Sequence, residues 1–485
     1  MSLTLGKKQL LINGEWRDAS GGKTMPVVNP ATEEIIAEVA NASAADVDAA
    51  VAAARAALNG PWGKMSARER GRLVWKLGER LMDTIDNVAK LETLHNGKPI
   101  TESRHIELPM AAECLQYFAG WADKIGGETI PVKGNSLVYT LREPIGVVAA
   151  IVPWNFPMLL AVWKVAPALA MGNTVILKPA SQTPLTALAL GEIGRAVGLP
   201  PGVLNIVTGS GSTTGQAIVD HPGIDKIAFT GDTSTGKGIM RSAAETLKHL
   251  TLELGGKSPN IVFADADLDA AIRGATVGIF YGKGEVCAAG SRLLVDKSIK
   301  DSFIAKLAER TKKMVPGDPM DPKTRLGAIS SKSHLERILQ YVEGAKKEGA
   351  SLVAGGSRAD IGTGKGYFMQ PTVFADVTPE MTIAREEIFG PVLATIEFAD
   401  VDEAIARAND SIYGLAAGVW TKDIKKAHYV ASKLKAGTVW VNTYNVYDTA
   451  VPFGGYKQSG FGREMSQHAL NYYTQMKSVW VDLNQ

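Results

Sequence analysis

From residue 144 onward the chain alternates short apolar runs with helix-like segments, and this alternation restricts the fold more than any other feature of the sequence. The runs at 146–152, 174–177, 205–207 and 226–229 are interleaved with segments of helical character at 157–170, 184–197, 213–220 and 235–245. Strand and helix in repeated succession predict right-handed βα units on a parallel sheet. A second alternation follows Gly255-Gly256, with strands expected at 260–263, 292–295 and 438–442 and helices near 267–280, 298–313, 333–347 and 402–409. Ahead of both, capping boxes at Ser43 with Asp46 and at Ser66 with Glu69 open helices, so 43–125 reads as largely helical, broken at Gly97-Lys98-Pro99. The fold class is α/β.

Two segments belong to neither series: 126–143, with alternating Thr129, Ile130, Val132, Val138, Tyr139 and Leu141, and the tail 477–485 with Val479, Trp480 and Val481. Both read as exposed strands whose edges need a partner, which predicts a homo-oligomer. Length agrees with several units, since 485 residues divide into two to four domains at roughly 100–200 residues each. Lys plus Arg against Asp plus Glu is 52 to 50, so no global field recruits nucleic acid or an acidic membrane surface. No apolar run approaches a membrane span and none follows the N-terminal lysines as a secretory signal would. Two cysteines in so long a chain favour a reducing, cytoplasmic setting and make any special cysteine a matter of reactivity.

Cys287 lies in Gly-Lys-Gly-Glu-Val-Cys-Ala-Ala-Gly-Ser-Arg, among small residues that admit a substrate to the sulfur. A thiolate is a strong nucleophile once its pKa falls from about 8.5; the competing reading is a buried structural cysteine, and Cys114, in a helical pattern, keeps that reading. Glu253 ends an apolar strand 34 residues earlier, where it either takes a proton from water or serves as a plain hinge glutamate. Asn155, in Pro153-Trp154-Asn155-Phe156-Pro157, can donate to an oxyanion and can cap the next helix, two roles that need not exclude each other. For a nucleotide the candidates are Gly231 to Gly236 and Gly209 to Gly215, each ahead of a helix N-terminus, though neither has GxGxxG spacing. Lys178 ends a strand and would bind ribose hydroxyls, or else is an ordinary exposed lysine. No HExxH, paired CxxC, Walker A or GxSxG sequence is present, which leaves no metal site to propose.

The ordered set PWNFP, KPASQTPL, FTGDTSTG, LELGGKSP, a cysteine before AGSR, EEIFGPV and PFGGYKQSG spans nearly the whole chain and resembles the aldehyde dehydrogenase superfamily. The resemblance implies a Rossmann-type cofactor domain at 1–122 and 144–253, a catalytic α/β domain at 254–466, and oligomerisation strands at 123–143 and 467–485. It makes Cys287 the nucleophile, Glu253 the general base and Asn155 the oxyanion donor. It places Trp154, Lys178, Ser181, Gly231, Asp232, Gly236, Leu254, Glu387 and Phe389 at an NAD or NADP cofactor, with Lys178 on the adenosine ribose, Glu387 on the nicotinamide ribose and Phe389 near the nicotinamide. Phe156, Leu160, Trp163, Tyr281, Tyr447 and Phe453 fall at tunnel positions. So apolar and aromatic a tunnel suits aromatic or medium-chain aldehydes, or a betaine-aldehyde-type cation, and disfavours a distal carboxylate.

Three departures accompany the resemblance. Gly282, Lys283, Gly284 and Glu285 stand where the family commonly shows Asn-Gln-Gly-Gln; Lys283 would favour the thiolate and Glu285 oppose it. Asp232 replaces a common serine and is expected to cap the following helix. Ser181 replaces a glutamate frequent in NAD-preferring members, which removes repulsion toward a 2′-phosphate and makes NADP usable. The leading reading is a hydrolytic aldehyde oxidoreductase. Its rivals are a CoA-acylating member, against which Glu253 argues, and a binding or structural protein that keeps the fold with weak turnover.

Overall fold

The computed structural model describes residues 5–484. Its first large sheet has eight strands, and the five in the middle are parallel, in the spatial order His249–Glu253, Lys226–Thr230, Val147–Ile151, Thr174–Lys178, Leu204–Ile206. Four of these five strands are buried along their whole length, all but His249–Glu253. That explains their continuous apolar character, since helices cover both faces of a parallel sheet. The chain enters at Val147–Ile151, adds two strands on one side and then crosses to add two on the other. Such a reversal opens a crevice at the carboxyl ends of the strands. Pro153 to Asn155, Gly231 and Asp232, and Glu253 all leave the sheet at those ends.

The helix Pro157–Ala170 has every residue buried; its first-turn Pro157 costs no hydrogen bond. Both capping boxes form, at Ser43 for Ala44–Asn59 and at Ser66 for Ala67–Asp83. The stretch ahead of residue 41 holds strands the sequence reading did not assign: Leu10–Ile12 and Glu15–Arg17 extend the first sheet, and Lys7–Lys8, Thr24–Asn29 and Glu34–Ala40 make a small sheet of their own.

The second large sheet has seven strands rather than the three expected, in the order Ser351–Ala354, Thr372–Ala375, Val392–Phe398, Arg292–Asp296, Pro259–Val262, Ala416–Trp420, Thr438–Val441. All but the first run parallel. Cys287 precedes Arg292–Asp296, Glu387 and Phe389 precede Val392–Phe398, and Gly255-Gly256 precede Pro259–Val262. This sheet therefore presents the amino ends of its strands where the first presents its carboxyl ends. The strand Gly460–Phe461 returns to pair with His249–Glu253 and finishes the first sheet.

The two outlying segments pair with each other: Ser136–Pro144 runs antiparallel to Thr474–Asp482 over nine registered positions, with Thr129–Ile130 on the other side. Leu137, Leu141, Trp480 and Val481 are left exposed on this arm. Among the described residues no helix is long and apolar enough to cross a membrane.

Candidate active site

Gly255 and Gly256 carry the chain from the first sheet to the second and set how closely the two approach. A Cβ at Gly255 would fall 2.0 Å from Glu387 Oε2, and one at Gly256 would fall 2.4 Å from the Cys287 carbonyl oxygen. Only glycine permits that approach. It brings Glu253, Cys287 and Glu387, from three separate stretches of sequence, to one place.

Glu253 is buried and neither carboxylate oxygen has a hydrogen-bond partner among the described residues. Burial, reinforced by the nearby Glu464 carboxylate, raises its pKa well above the ordinary value against the pull of Lys164 and Arg463. Lys164 is itself buried, paired with Glu464 and donating to Thr230 Oγ1 at 2.6 Å.

Cys287 is partly exposed to the cavities beside it. Burial, then the charges of Glu253 and Glu387, push its thiol up to about 12 in the cofactor-free protein, while backbone N–H groups at 287 and 288 act the other way. The thiol is therefore protonated at neutral pH. Alkylation by iodoacetamide without cofactor should rise about tenfold per unit between roughly pH 7 and 9; a rate already level across that span would show a thiol pKa below it. Cys114 is wholly buried on Leu108–Trp121 and raised by that burial.

Asn155 is buried, and its Nδ2 donates to the Glu285 carbonyl at 2.9 Å while Oδ1 has no partner among the described residues. The role as helix cap is not realised: Phe156 occupies the cap position of Pro157–Ala170. The amide faces the cysteine loop instead.

Two cavities meet at Cys287. One, of about 390 Å³, is lined by all six tunnel positions picked from the sequence, together with Ile106, Met110, Leu159, Val277, Asn445 and Val446, which sequence reasoning missed. Phe156 stacks on Tyr281 at 6.2 Å, and Phe453 lies between Trp163 and Tyr447 at 5.7 Å from each. No arginine or lysine reaches this wall, whereas Glu253 and Glu464 do. Tyr281 points its hydroxyl away, donating to Glu107 at 3.3 Å.

The other cavity, of about 200 Å³, is lined by Trp154, Asn155, Gly231, Asp232, Leu254, Glu387 and Phe389 and by two residues not foreseen, His334 and Arg337. Glu387 accepts from the Gly256 N–H at 3.0 Å, and burial raises its carboxyl to about 7 despite that bond and Lys257. Asp232 caps Thr233–Ala243 as expected, accepting from Ser234 N at 2.8 Å and Thr235 N at 3.1 Å. Burial raises its pKa, but these hydrogen bonds outweigh it and hold the carboxyl below the ordinary value. Its charge thus occupies N–H groups at a helix end that favours anions. Arg337 supplies a cation on the same wall.

Lys178, Ser181 and Gly236 lie off both walls. Lys178 is buried, which overturns the reading as an exposed lysine; it donates to the Pro179 carbonyl at 3.1 Å, and burial lowers it to about 8. A Cβ at Gly236 would fall 2.6 Å from Leu254, so that glycine brings the helix against the strand end. The paired charges Lys283 and Glu285 turn toward each other, 2.7 Å apart, rather than acting separately on the sulfur.

A model of the aldehyde dehydrogenase family matches residues 16–479. The human mitochondrial aldehyde dehydrogenase is 49% identical over 480 residues, spanning 98% of this chain and 92% of its own. Among solved structures, the NAD+ complex of an aldehyde dehydrogenase from Bacillus cereus is similar with a TM-score of 0.97 and 50% identity, covering 99% of this chain and 97% of that one. An indole-3-acetaldehyde dehydrogenase variant from P. syringae, in complex with NAD+ and IAA, has a TM-score of 0.96 and 44% identity over 98% of this chain and 97% of its own.

Proposed function

Because the chain belongs to the aldehyde dehydrogenase family, we propose that it oxidises an aromatic or medium-chain aliphatic aldehyde to the carboxylic acid with NAD or NADP, through a covalent adduct on Cys287. The observation that carries this reading is that Cys287 and Glu253 stand on the walls of both cavities at once, one apolar and aromatic, the other polar and holding Arg337.

The second cavity fits the nicotinamide and ribose end of a dinucleotide, with the rest of the cofactor lying beyond its wall toward Lys178 and Ser181. The Glu387 carboxylate would hold ribose hydroxyls, Trp154 and Phe389 offer ring faces, and Arg337 offsets phosphate charge beside the capped helix end. A nicotinamide held there would supply the hydride acceptor for the substrate carbon and a positive charge that favours the Cys287 thiolate.

In this reading the Cys287 S–H proton passes to water as the sulfur bonds to the aldehyde carbon, and the electron pair of the C=O π bond moves onto the aldehyde oxygen, which becomes an oxyanion. Asn155 Nδ2 and the Cys287 N–H donate to that oxygen, a contribution of about 3–4 kcal/mol per donor. After oxidation the carbon is a thioester. Glu253 then takes a proton from water, the oxygen of that water bonds to the carbonyl carbon, and the C–S bond breaks with its electrons returning to sulfur. A carboxyl raised by burial suits such a transfer near neutral pH.

A panel of aldehydes tests the substrate reading. Aromatic and medium-chain aldehydes should exceed those bearing a distal carboxylate by about 100-fold or more in kcat/KM, because the wall offers a carboxylate no cation. Equal values would sink it. With Ser181 in place of glutamate, NADP should stay within about 10³-fold of NAD in the same assay. For Asp232→Ser, serine keeps the cap while removing a charge beside the cofactor, so KM for either cofactor should fall about tenfold; an unchanged or higher KM would refute this.

The domain limits given above belong to the same proposal, as does assembly into a homo-oligomer through the exposed arm of Ser136–Pro144 and Thr474–Asp482. A monomer at micromolar concentration by analytical ultracentrifugation would remove the latter.

A further inference from the structure

The loop ahead of Cys287 carries a buried lysine and a buried glutamate that the chemistry above does not use. Gly282, Lys283 and Gly284 have φ of +56°, +65° and +72°, a left-handed run that glycine adopts freely and lysine only against strain. The Lys283 ammonium is what is fastened there. Its Nζ lies 2.7 Å from Glu285 Oε2 and donates to the Asn96 carbonyl at 2.9 Å and to Asn96 Oδ1 at 2.8 Å.

Each end of this pair reaches a different part of the site. Asn96 Nδ2 donates to the Trp154 carbonyl at 2.7 Å, so the lysine is tied to the segment that carries Asn155. The Glu285 backbone carbonyl is the acceptor for Asn155 Nδ2. Glu285 Oε1 accepts from Ser330 N at 3.0 Å and faces His334 Nε2 at 3.8 Å. His334 Nε2 lies 2.6 Å from the Phe389 carbonyl, and the rings of His334 and Phe389 sit 5.2 and 5.3 Å from Trp154. A Cβ at Gly284 would fall 2.3 Å from the Gly390 carbonyl group, which puts the loop directly against the segment holding Phe389. The charges acting most on the Cys287 thiol are Glu253 and Glu387, not this pair.

We propose that Lys283 and Glu285 are positioning residues, whose buried ion pair fixes Asn155 and the Trp154, His334 and Phe389 wall in place relative to Cys287. The proposal rests on the reading of Cys287 and Asn155 given above. A buried pair suits this task because it tolerates loss of one member poorly and replacement of both by neutral groups of like size much better.

That asymmetry supplies the test. With aldehyde and cofactor both saturating, Lys283→Gln and Glu285→Gln should each slow the burst of reduced cofactor by about tenfold or more, and the double variant should recover to within about threefold of the parent. KM for the aldehyde should hardly move, since Trp163, Tyr447 and Phe453 lie on the other wall. Single variants that fold and keep the parental burst rate would overturn the proposal even if they melt earlier, and so would a loss the double variant does not relieve. Should either single variant fail to fold, Asn96→Ala decides, because it keeps the ion pair and the Lys283 bond to the residue 96 carbonyl while removing the side chain that links Lys283 to Trp154: a burst slowed about tenfold supports the proposal and a parental burst overturns it. Cys287→Ala run alongside separates the two levels of argument. Activity retained there removes the cysteine reading and this proposal together, whereas an inactive Cys287→Ala with parental Lys283→Gln removes this proposal alone.

Discussion

Cys287→Ala is expected to lower kcat for aldehyde oxidation by about 10⁴-fold or more. On the proposed mechanism the covalent tetrahedral adduct would not form without the sulfur. Glu253 can still polarise a water, but that water would have to do in one step what the thioester divides into two. The variant should remain folded, because the side chain is small and already faces open space. Cofactor affinity should change little, since Trp154, Glu387, Phe389 and Arg337 are untouched. Single-turnover mixing of enzyme, cofactor and a reactive aldehyde gives the measurement. A reduced-cofactor signal within about tenfold of the parental rate would dismiss Cys287 as nucleophile.

Glu253→Gln is expected to have a different profile. The exchange keeps shape and removes the proton acceptor, so the thioester should form and then persist. A burst of reduced cofactor should appear, followed by steady turnover slower by about 10²–10⁴-fold. The pH dependence follows from the raised carboxyl pKa. The residue acts when deprotonated, so parental activity is present above that pKa and is lost as pH falls through it; glutamine should remove this limb. Loss of the burst itself, or an unchanged steady state, would show that Glu253 does not drive hydrolysis.

Cys287, Glu253 and Asn155 could be picked from sequence because each sits in a short motif, yet the distance between them could not. Gly255-Gly256 marks where the chain changes sheets, but the contacts to Glu387 and Cys287 that demand glycine appear only on folding. His334 and Arg337 were invisible for another reason. They come from Lys332–Lys347, whose charged sequence reads as a solvated helix, and only tertiary packing turns its first turns toward the second, polar cavity. The βα alternation at 146–230 was readable because strands buried on both faces are continuously apolar. Ala416–Trp420 is likewise apolar and wholly buried, but its opening Ala-Ala-Gly carries little strand propensity to mark it. Lys283 and Glu285 show how spacing misleads: both lie within five residues of Cys287, and the left-handed loop turns them toward Asn96 instead.

Among the described residues only Thr230, Glu253, Leu254 and Cys287 belong to the walls of both cavities. Every other lining residue faces one cavity alone. Changes at distant, unshared positions tend to combine independently, so on the proposed reading substitutions at Met110, Trp163, Val446 and Phe453, on the aldehyde cavity, should add to the effects of substitutions at Asp232 and Arg337, on the other cavity, without offsetting them. Acceptance of a new aldehyde need not be followed by repair on the nucleotide side.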